Sequence, residues 1–255
     1  MLPIFLKPKV TTSLIRIGSD RDGGYFVPKK ILNKINKIVS LGLGSDWSFE
    51  EDFKKKNNSI KIVFYDHTIN IYFWLKSFIQ NLYFLIRYKN SIKNLFKLIE
   101  YNIFFNQRNI EHKKLKVSNK TNIQKHEISI SDILKKEKTK FLLKIDIEGD
   151  EYLILNKILK FQKNIDCLII EFHQINKKKN KNKIRYFMKK MKQLKNCNIS
   201  PNNSFGFDKN NDPYVFEMVF VNKKYLNKKE FKTNNNLKYF PNNPYKKNFE
   251  IKFIK

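Results

Sequence analysis

The chain has 255 residues, 47 lysines against five arginines, no alanine, and a formal net charge of +29. Two cysteines cannot form a disulfide framework, and no Cys/His cluster has zinc spacing. A phosphate-contacting surface selected for nucleic acid mixes arginine with lysine for its planar fork. This lysine excess therefore reads mainly as codon drift over solvated faces, and nucleic acid is not the expected partner. The apolar share of 41% supports a real core.

In chain order, Lys37–Leu43 reads as a buried strand ending in Gly42-Leu43-Gly44. Ser48, three residues before Glu51, has the pattern of a capping box opening a helix. Ile60–Tyr65 is a second short apolar strand, closed by Asp66. Ile71 to Phe105 follows the 3.6-residue period and is expected to be helical throughout. Lys76, Gln80 and Asn81 interrupt its apolar run, so it is not expected to cross a membrane. A weaker strand falls at Glu111–Ser118 and a strong one at Phe141–Ile147. A short helix follows at Glu151–Leu159, then a buried strand at Ile165–Phe172. A basic helix spans Lys181–Leu194, and a late strand at Val215–Val221 is expected to pair near Cys197–Ser200. The domain is read as residues 1–222, with a helical insertion at about 70–106 and a polar extension at 223–255.

Strands alternating with helices predict an α/β fold with a mostly parallel sheet, in which ligands bind at the carboxyl ends of the strands. The rare residue types converge there. Six of the seven glycines fall in three short segments, and twelve of the 23 acids lie in or beside those segments or at strand ends. The turn Gly42-Leu43-Gly44-Ser45 before a helix N-terminus suits an anionic group. Asp66, about twenty residues on, suits ribose hydroxyls, with a turn or cap as its structural alternative. Asp146, Glu148, Asp150 and Glu151 cluster at one strand end. Oxygen ligands of this kind could hold a divalent cation, although no metal is assigned. Glu171 and His173 project to one face of the next strand, and either could be a general base.

These segments together resemble the FkbM-type methyltransferase family. The pieces are Arg16-Ile17-Gly18 with Asp22-Gly23-Gly24-Tyr25, Leu41 to Glu50, Tyr65-Asp66-His67-Thr68 (a proline stands at the place of His67 in the family pattern), Leu143 to Glu151, and Phe216 to Phe220. The resemblance implies a class I methyltransferase (Rossmann-like) fold with a seven-stranded, mostly parallel sheet and a late antiparallel strand. It implies S-adenosylmethionine as cofactor and methyl transfer to an oxygen of a sugar. Gly42, Gly44, Ser45 and Asp66 would bind the cofactor, with Asp146 near its methionine part. For the base, His173 or Glu171 is expected, with Asp146 or Glu148 as the alternative. The expected acceptor is a sugar-containing molecule. The expected setting is the cytoplasm, with the aromatic and basic segment 71–105 able to lie on the inner face of an anionic membrane. A nucleic-acid methyltransferase and a non-catalytic interaction protein on the same fold are the alternatives.

Overall fold

The computed structural model describes residues 2–88, 96–209, 212–233 and 237–254. Seven strands form the main sheet: β1 (Lys37–Leu41), β2 (Lys61–Tyr65), β3 (Ile110–Lys113), β4 (Phe141–Ile145), β5 (Ile165–Phe172), β6 (Leu194–Pro201) and β7 (Phe216–Asn222). Their order across the sheet is β6-β7-β5-β4-β1-β2-β3. The run from β3 to β5 is parallel, and β7 inserts antiparallel between β5 and β6. This is the class I methyltransferase order. The chain steps outward from β1 in one direction and from β4 in the other, so the switch point lies between β1 and β4. The expected pairing of the late strand with the Cys197–Ser200 segment is present, from Leu194↔Asn222 to Pro201↔Phe216.

Both faces of the sheet are covered, which explains the continuous apolar runs. Every residue of β4 and β5 is buried. Helices α1 (Ser48–Lys56), α2 (Ile71–Tyr88), α3 (Lys97–Phe105), α4 (Ile130–Lys135), α5 (Glu151–Phe161) and α6 (Lys178–Lys190) flank it. Helices α4, α5 and α6 pack on one face through Ile133, Ile154, Ile158 and Phe187. On the other, α1 and α3 pack with a hairpin of Leu14–Ile17 and Tyr25–Pro28.

The region expected to be helical from Ile71 to Phe105 contains α2 and α3, and residues 89–95, with Ile92 and Leu95, lie outside the described residues. Two elements differ from the sequence reading. The basic helix starts and ends earlier, because Met191 turns extended and Leu194 is buried as the first residue of β6. Ser48 is the first residue of α1 and forms no capping box. Its hydroxyl instead donates to Gly23 O at 3.3 Å and accepts from Ser19 N at 2.9 Å, while Asp46 Oδ1 accepts from Ser48 N at 2.9 Å. The residue that resembled a cap thus pins the N-terminal turn onto α1.

An ion pair behind the switch point joins α1 to β4. Glu50 and Lys144 are both buried, with Lys144 Nζ 3.4 Å from Glu50 Oε1. Ser40 Oγ donates to the same oxygen at 2.6 Å, and Lys144 Nζ lies 4.7 Å from the Tyr25 ring centre. Burial pulls the Lys144 pKa down, but the charges of Glu50 and Asp146 outweigh it and hold the ammonium charged. Removing one partner strands the other charge in the core. Lys144→Met is therefore expected to cost about 3–5 kcal/mol. The double variant Glu50→Gln/Lys144→Met should regain most of this loss in urea unfolding; a double variant no more stable than Lys144→Met would refute the pairing.

Candidate active site

The carboxyl ends of β1, β2 and β4 turn together. Gly42 N donates to Tyr65 O at 3.0 Å, and Asp146 N donates to Leu41 O at 2.8 Å. Gly42 has a φ of +85°, and a Cβ there would sit 1.7 Å from Asp146 O. Only glycine meets both conditions. Gly44, with a φ of +56°, has no neighbouring atom within 4 Å of a would-be Cβ, so its backbone faces open space.

That space is a cavity of about 540 Å³. Gly42, Gly44, Ser45, Asp66, Asp146 and Glu148 all line it. Asp22, Asp46 and Asp150 add to its acidic wall, against Lys116 and Lys144.

Asp66, at the end of β2, braces the glycine turn. Its Oδ2 accepts from Leu43 N at 2.8 Å and Gly44 N at 3.4 Å, and its Oδ1 accepts from Thr68 N and Thr68 Oγ1, both at 2.6 Å. Burial pushes its pKa up, but these bonds outweigh burial and leave it below the ordinary aspartate value. His112 supports the same loop: its Nε2 lies 2.9 Å from Asp66 O and its Nδ1 2.5 Å from Tyr101 Oη. A proton on Nε2 satisfies both contacts, since Tyr101 can then donate to Nδ1.

Glu148 and Gly149 form the rim between β4 and α5. Glu148 has a φ of +52°, which strains a side-chain-bearing residue by about 1–2 kcal/mol. Its side chain is 78% exposed and faces the cavity. Partial burial and the neighbouring acids raise its pKa, with His173 pulling the other way. Glu151, at the first turn of α5, ties this rim to the end of β5. It accepts from Gly149 N and from His173 N, both at 2.8 Å.

Glu171 and His173 stand behind this wall, both buried. Neither lines the cavity itself. The His173 Nε2 lies 3.5 Å from Glu148 Oε2, 3.8 Å from Asp146 Oδ1 and 3.9 Å from Glu171 Oε1. Tyr25 Oη lies 3.0 Å from Asp146 Oδ2 and 3.2 Å from Glu171 Oε2, so these two carboxylates share its one proton. Asn202 Nδ2 donates to Glu171 Oε1 at 3.1 Å and to Asp22 Oδ1 at 2.7 Å. Asn242 Nδ2 reaches Asp22 Oδ1 at 3.2 Å. Burial and the charges of Asp146 and Glu217 push the Glu171 pKa well above the usual range. Burial also raises Glu217 to about 8, with Arg16 opposing.

The sequence reading brought these acids to one edge but gave no site role to Tyr25, Asn202, Asn242 or Glu217, nor a bridging role to Glu151. One signal was available: Glu217 interrupts the apolar run Val215–Val221. The asparagines carried none, since asparagine is background in this chain.

Because folding depresses the Asp66 pKa, its contribution to stability is complete above the unfolded-state value and is lost as pH falls through the folded one. Asp66→Asn is expected to cost about 1–3 kcal/mol at neutral pH. The gap from the wild type should close in acid when urea unfolding is followed as a function of pH; a gap independent of pH would contradict the charged role.

Among solved structures, the chain is similar to the fibrillarin/Nop5p complex, with 13% identity, a TM-score of 0.39, and 73% of this chain and 72% of that chain covered. Similar values hold for spermidine synthase from Thermotoga maritima, at 14%, 0.40, 83% and 64%, and for M. jannaschii TYW2 in complex with AdoMet, at 10%, 0.36, 76% and 74%. Likenesses this distant bear on neither reaction nor acceptor. No curated protein matches the chain. Residues 28–199 match the family described as the methyltransferase FkbM domain, a span that holds the glycine turn, Asp66 and the acidic cluster. The chain belongs to this FkbM family of S-adenosylmethionine-dependent methyltransferases.

Proposed function

We propose that the protein transfers a methyl group to a hydroxyl of a sugar-containing acceptor. The observation that carries this reading is the wall of carboxylates facing one side of a glycine-turn cavity. Carboxylates accept hydrogen bonds from sugar hydroxyls and can take a proton from one of them.

The residues present fit the cofactor. The cavity volume lies within the range of small-molecule sites. Gly44 leaves backbone open to it, and the acids suit a cationic sulfonium and ammonium. Bound S-adenosylmethionine supplies an electrophilic methyl group. The turn Gly42–Ser45 and the start of α1 would hold its carboxylate. Asp66 would hold the ribose by exchanging its longest bond, that from Gly44 N. Asp146 lies on the wall next to Gly42, where it would face the methionine end.

Of the acids expected to act as base, Asp146 and Glu148 line the cavity, and Glu148 is the more exposed of the two. Its Oε2 would take the proton from the acceptor hydroxyl as the new bond forms. His173 stands behind it, with Nε2 3.5 Å from that oxygen, and Tyr25 links Glu171 to Asp146. General-base assistance of this kind contributes about 10²–10⁴-fold. Glu148→Gln should lower turnover by that order while leaving the affinity for S-adenosylmethionine, measured by calorimetry, near that of the wild type. Unchanged turnover would remove Glu148 as base, and no cofactor binding by the wild type would defeat the whole reading.

One further observation favours an acceptor met at a membrane. Helix α2 starts three residues after Thr68 of the cavity wall and presents Ile71, Tyr72, Leu75, Phe78, Ile79 and Tyr83 along one exposed stripe. Tyr72 is 77% exposed and Ile79 65%. Soluble monomers rarely expose so continuous an apolar patch. The helix carries Lys76 and Arg87 and no acid, and the whole chain is strongly cationic. No helix among the described residues is long and apolar enough to cross a membrane. An amphipathic basic helix of this kind lies in the plane of an anionic lipid surface. Such a surface would deliver a lipid-linked glycan to the adjoining cavity. The protein should float with vesicles containing anionic phospholipid, and Ile79→Glu should reduce the bound fraction severalfold. Equal recovery on neutral vesicles, or none on either, would refute the anionic surface.

A further inference from the structure

We propose that Asp146, Glu171 and His173 bind one divalent metal cation at the inner wall of the cavity. This deepens the methyltransferase reading and rests on it only for the role of the ion, not for its binding. The three residues converge from the ends of two adjacent strands. Their ligand atoms all lie within 4.8 Å of one another. With 3.8 Å from His173 Nε2 to Asp146 Oδ1 and 3.9 Å to Glu171 Oε1, one point lies roughly 2.2–2.5 Å from all three. That is close to the distance at which nitrogen and oxygen hold a divalent ion.

The imidazole is the second and independent observation. His173 is only 5% exposed, yet its ring makes no well-formed hydrogen bond. Nε2 points into the carboxylates at distances too long for one. Nδ1 points at Glu151 Oε1, 3.5 Å away. A metal-bound histidine almost always directs its second nitrogen at a carboxylate, which fixes the tautomer. Glu151 is itself held by two backbone N–H groups, so it is a rigid partner for that nitrogen.

The remaining contacts leave the ligand atoms correctly presented. Tyr25 Oη engages Asp146 Oδ2 and Glu171 Oε2, the oxygens opposite those that face His173. Asn202 Nδ2 also contacts Glu171 Oε1, at 3.1 Å, and orients it. Carboxyl groups crowd the same point: Glu148 Oε2 also lies 3.5 Å from His173 Nε2, while the nearby Lys144 is paired with Glu50.

Two carboxylates and one imidazole form a mixed donor set suited to Mn²⁺ or Zn²⁺. Three protein ligands leave coordination positions open, as in catalytic rather than structural sites. The open side is the cavity, where Asp146 and Glu148 lie. An acceptor hydroxyl bound there would become more acidic and would release its proton to Glu148.

The test uses chelator-treated full-length protein and Mn²⁺ alone, followed by calorimetry and by the electron paramagnetic resonance signal of the free ion. One ion should bind per chain and raise the melting temperature. His173→Gln and Glu171→Gln should each weaken binding by about 100-fold or more. Glu148→Gln, outside the ligand set, should bind Mn²⁺ within a few-fold of the wild type. Circular dichroism confirms folding of each variant, and the wild-type titration decides the matter even if a variant fails to fold. Failure of the wild type to bind either Mn²⁺ or Zn²⁺, or undiminished binding by folded His173→Gln, would overturn the proposal. Binding of S-adenosylmethionine by the same chelated protein is measured in parallel. Cofactor binding without metal binding would overturn the cation site alone, and metal binding without cofactor binding would overturn the methyltransferase reading alone.

Discussion

The carboxyl-end edge of the sheet depends on one close approach, that of Gly42 to the carbonyl of Asp146. No side chain fits between them, so the tips of β1 and β4 are held in van der Waals contact at the switch point of the sheet. Everything on this edge is placed by that contact. The glycine turn opens toward the cavity because it cannot lean the other way. Asp66 reaches across from β2 to accept from Leu43 and Gly44, and Glu148 is pushed into a strained conformation at the rim. Behind the contact, Glu50 and Lys144 tie the start of α1 to the middle of the same two strands.

The charge of the chain and the charge of its site have opposite signs. The excess of lysine is spread over exposed positions, whereas the cavity is lined by acids and backed by further buried carboxylates. A positive outer field draws anionic surfaces toward the protein. Arg16, one of the five arginines, works inside rather than outside: it donates to Ser19 O and Arg21 O and stacks on Phe240.

Strands β1, β2, β4 and β5 were legible because each is a short apolar run closing on a glycine or an acid, whereas β3 (Ile-Glu-His-Lys) and β6 carry no such run. The class of fold then followed from their alternation with helices. The site acids were legible because glycine and carboxylate are scarce in a lysine- and asparagine-rich chain. Ser48 misled because its spacing to Glu51 is that of a capping box, and local pattern cannot reveal a hydroxyl captured by Gly23 and Ser19, which are distant in sequence. The asparagines were illegible for the opposite reason. With 32 of them, nothing marks Asn202 or Asn242 as different from those on the surface, although both are buried and bonded to Asp22. Helix α2 was legible in its period, but the period does not say which way its apolar stripe faces.

The bond from Asn242 to Asp22 spans 220 residues, and Leu2 pairs with Phe253. These contacts bear on the timing of folding during synthesis. The glycine turn, Asp66 and the acids of β4 and β5 can assemble once the first two-thirds of the chain has emerged. The far wall cannot, because Asp22 receives its last partner only when residue 242 leaves the ribosome. A nascent chain that ends at Phe172 therefore carries the glycine turn, Asp66 and the strand-end acids but lacks Asn202 and Asn242, the two residues that bond Asp22.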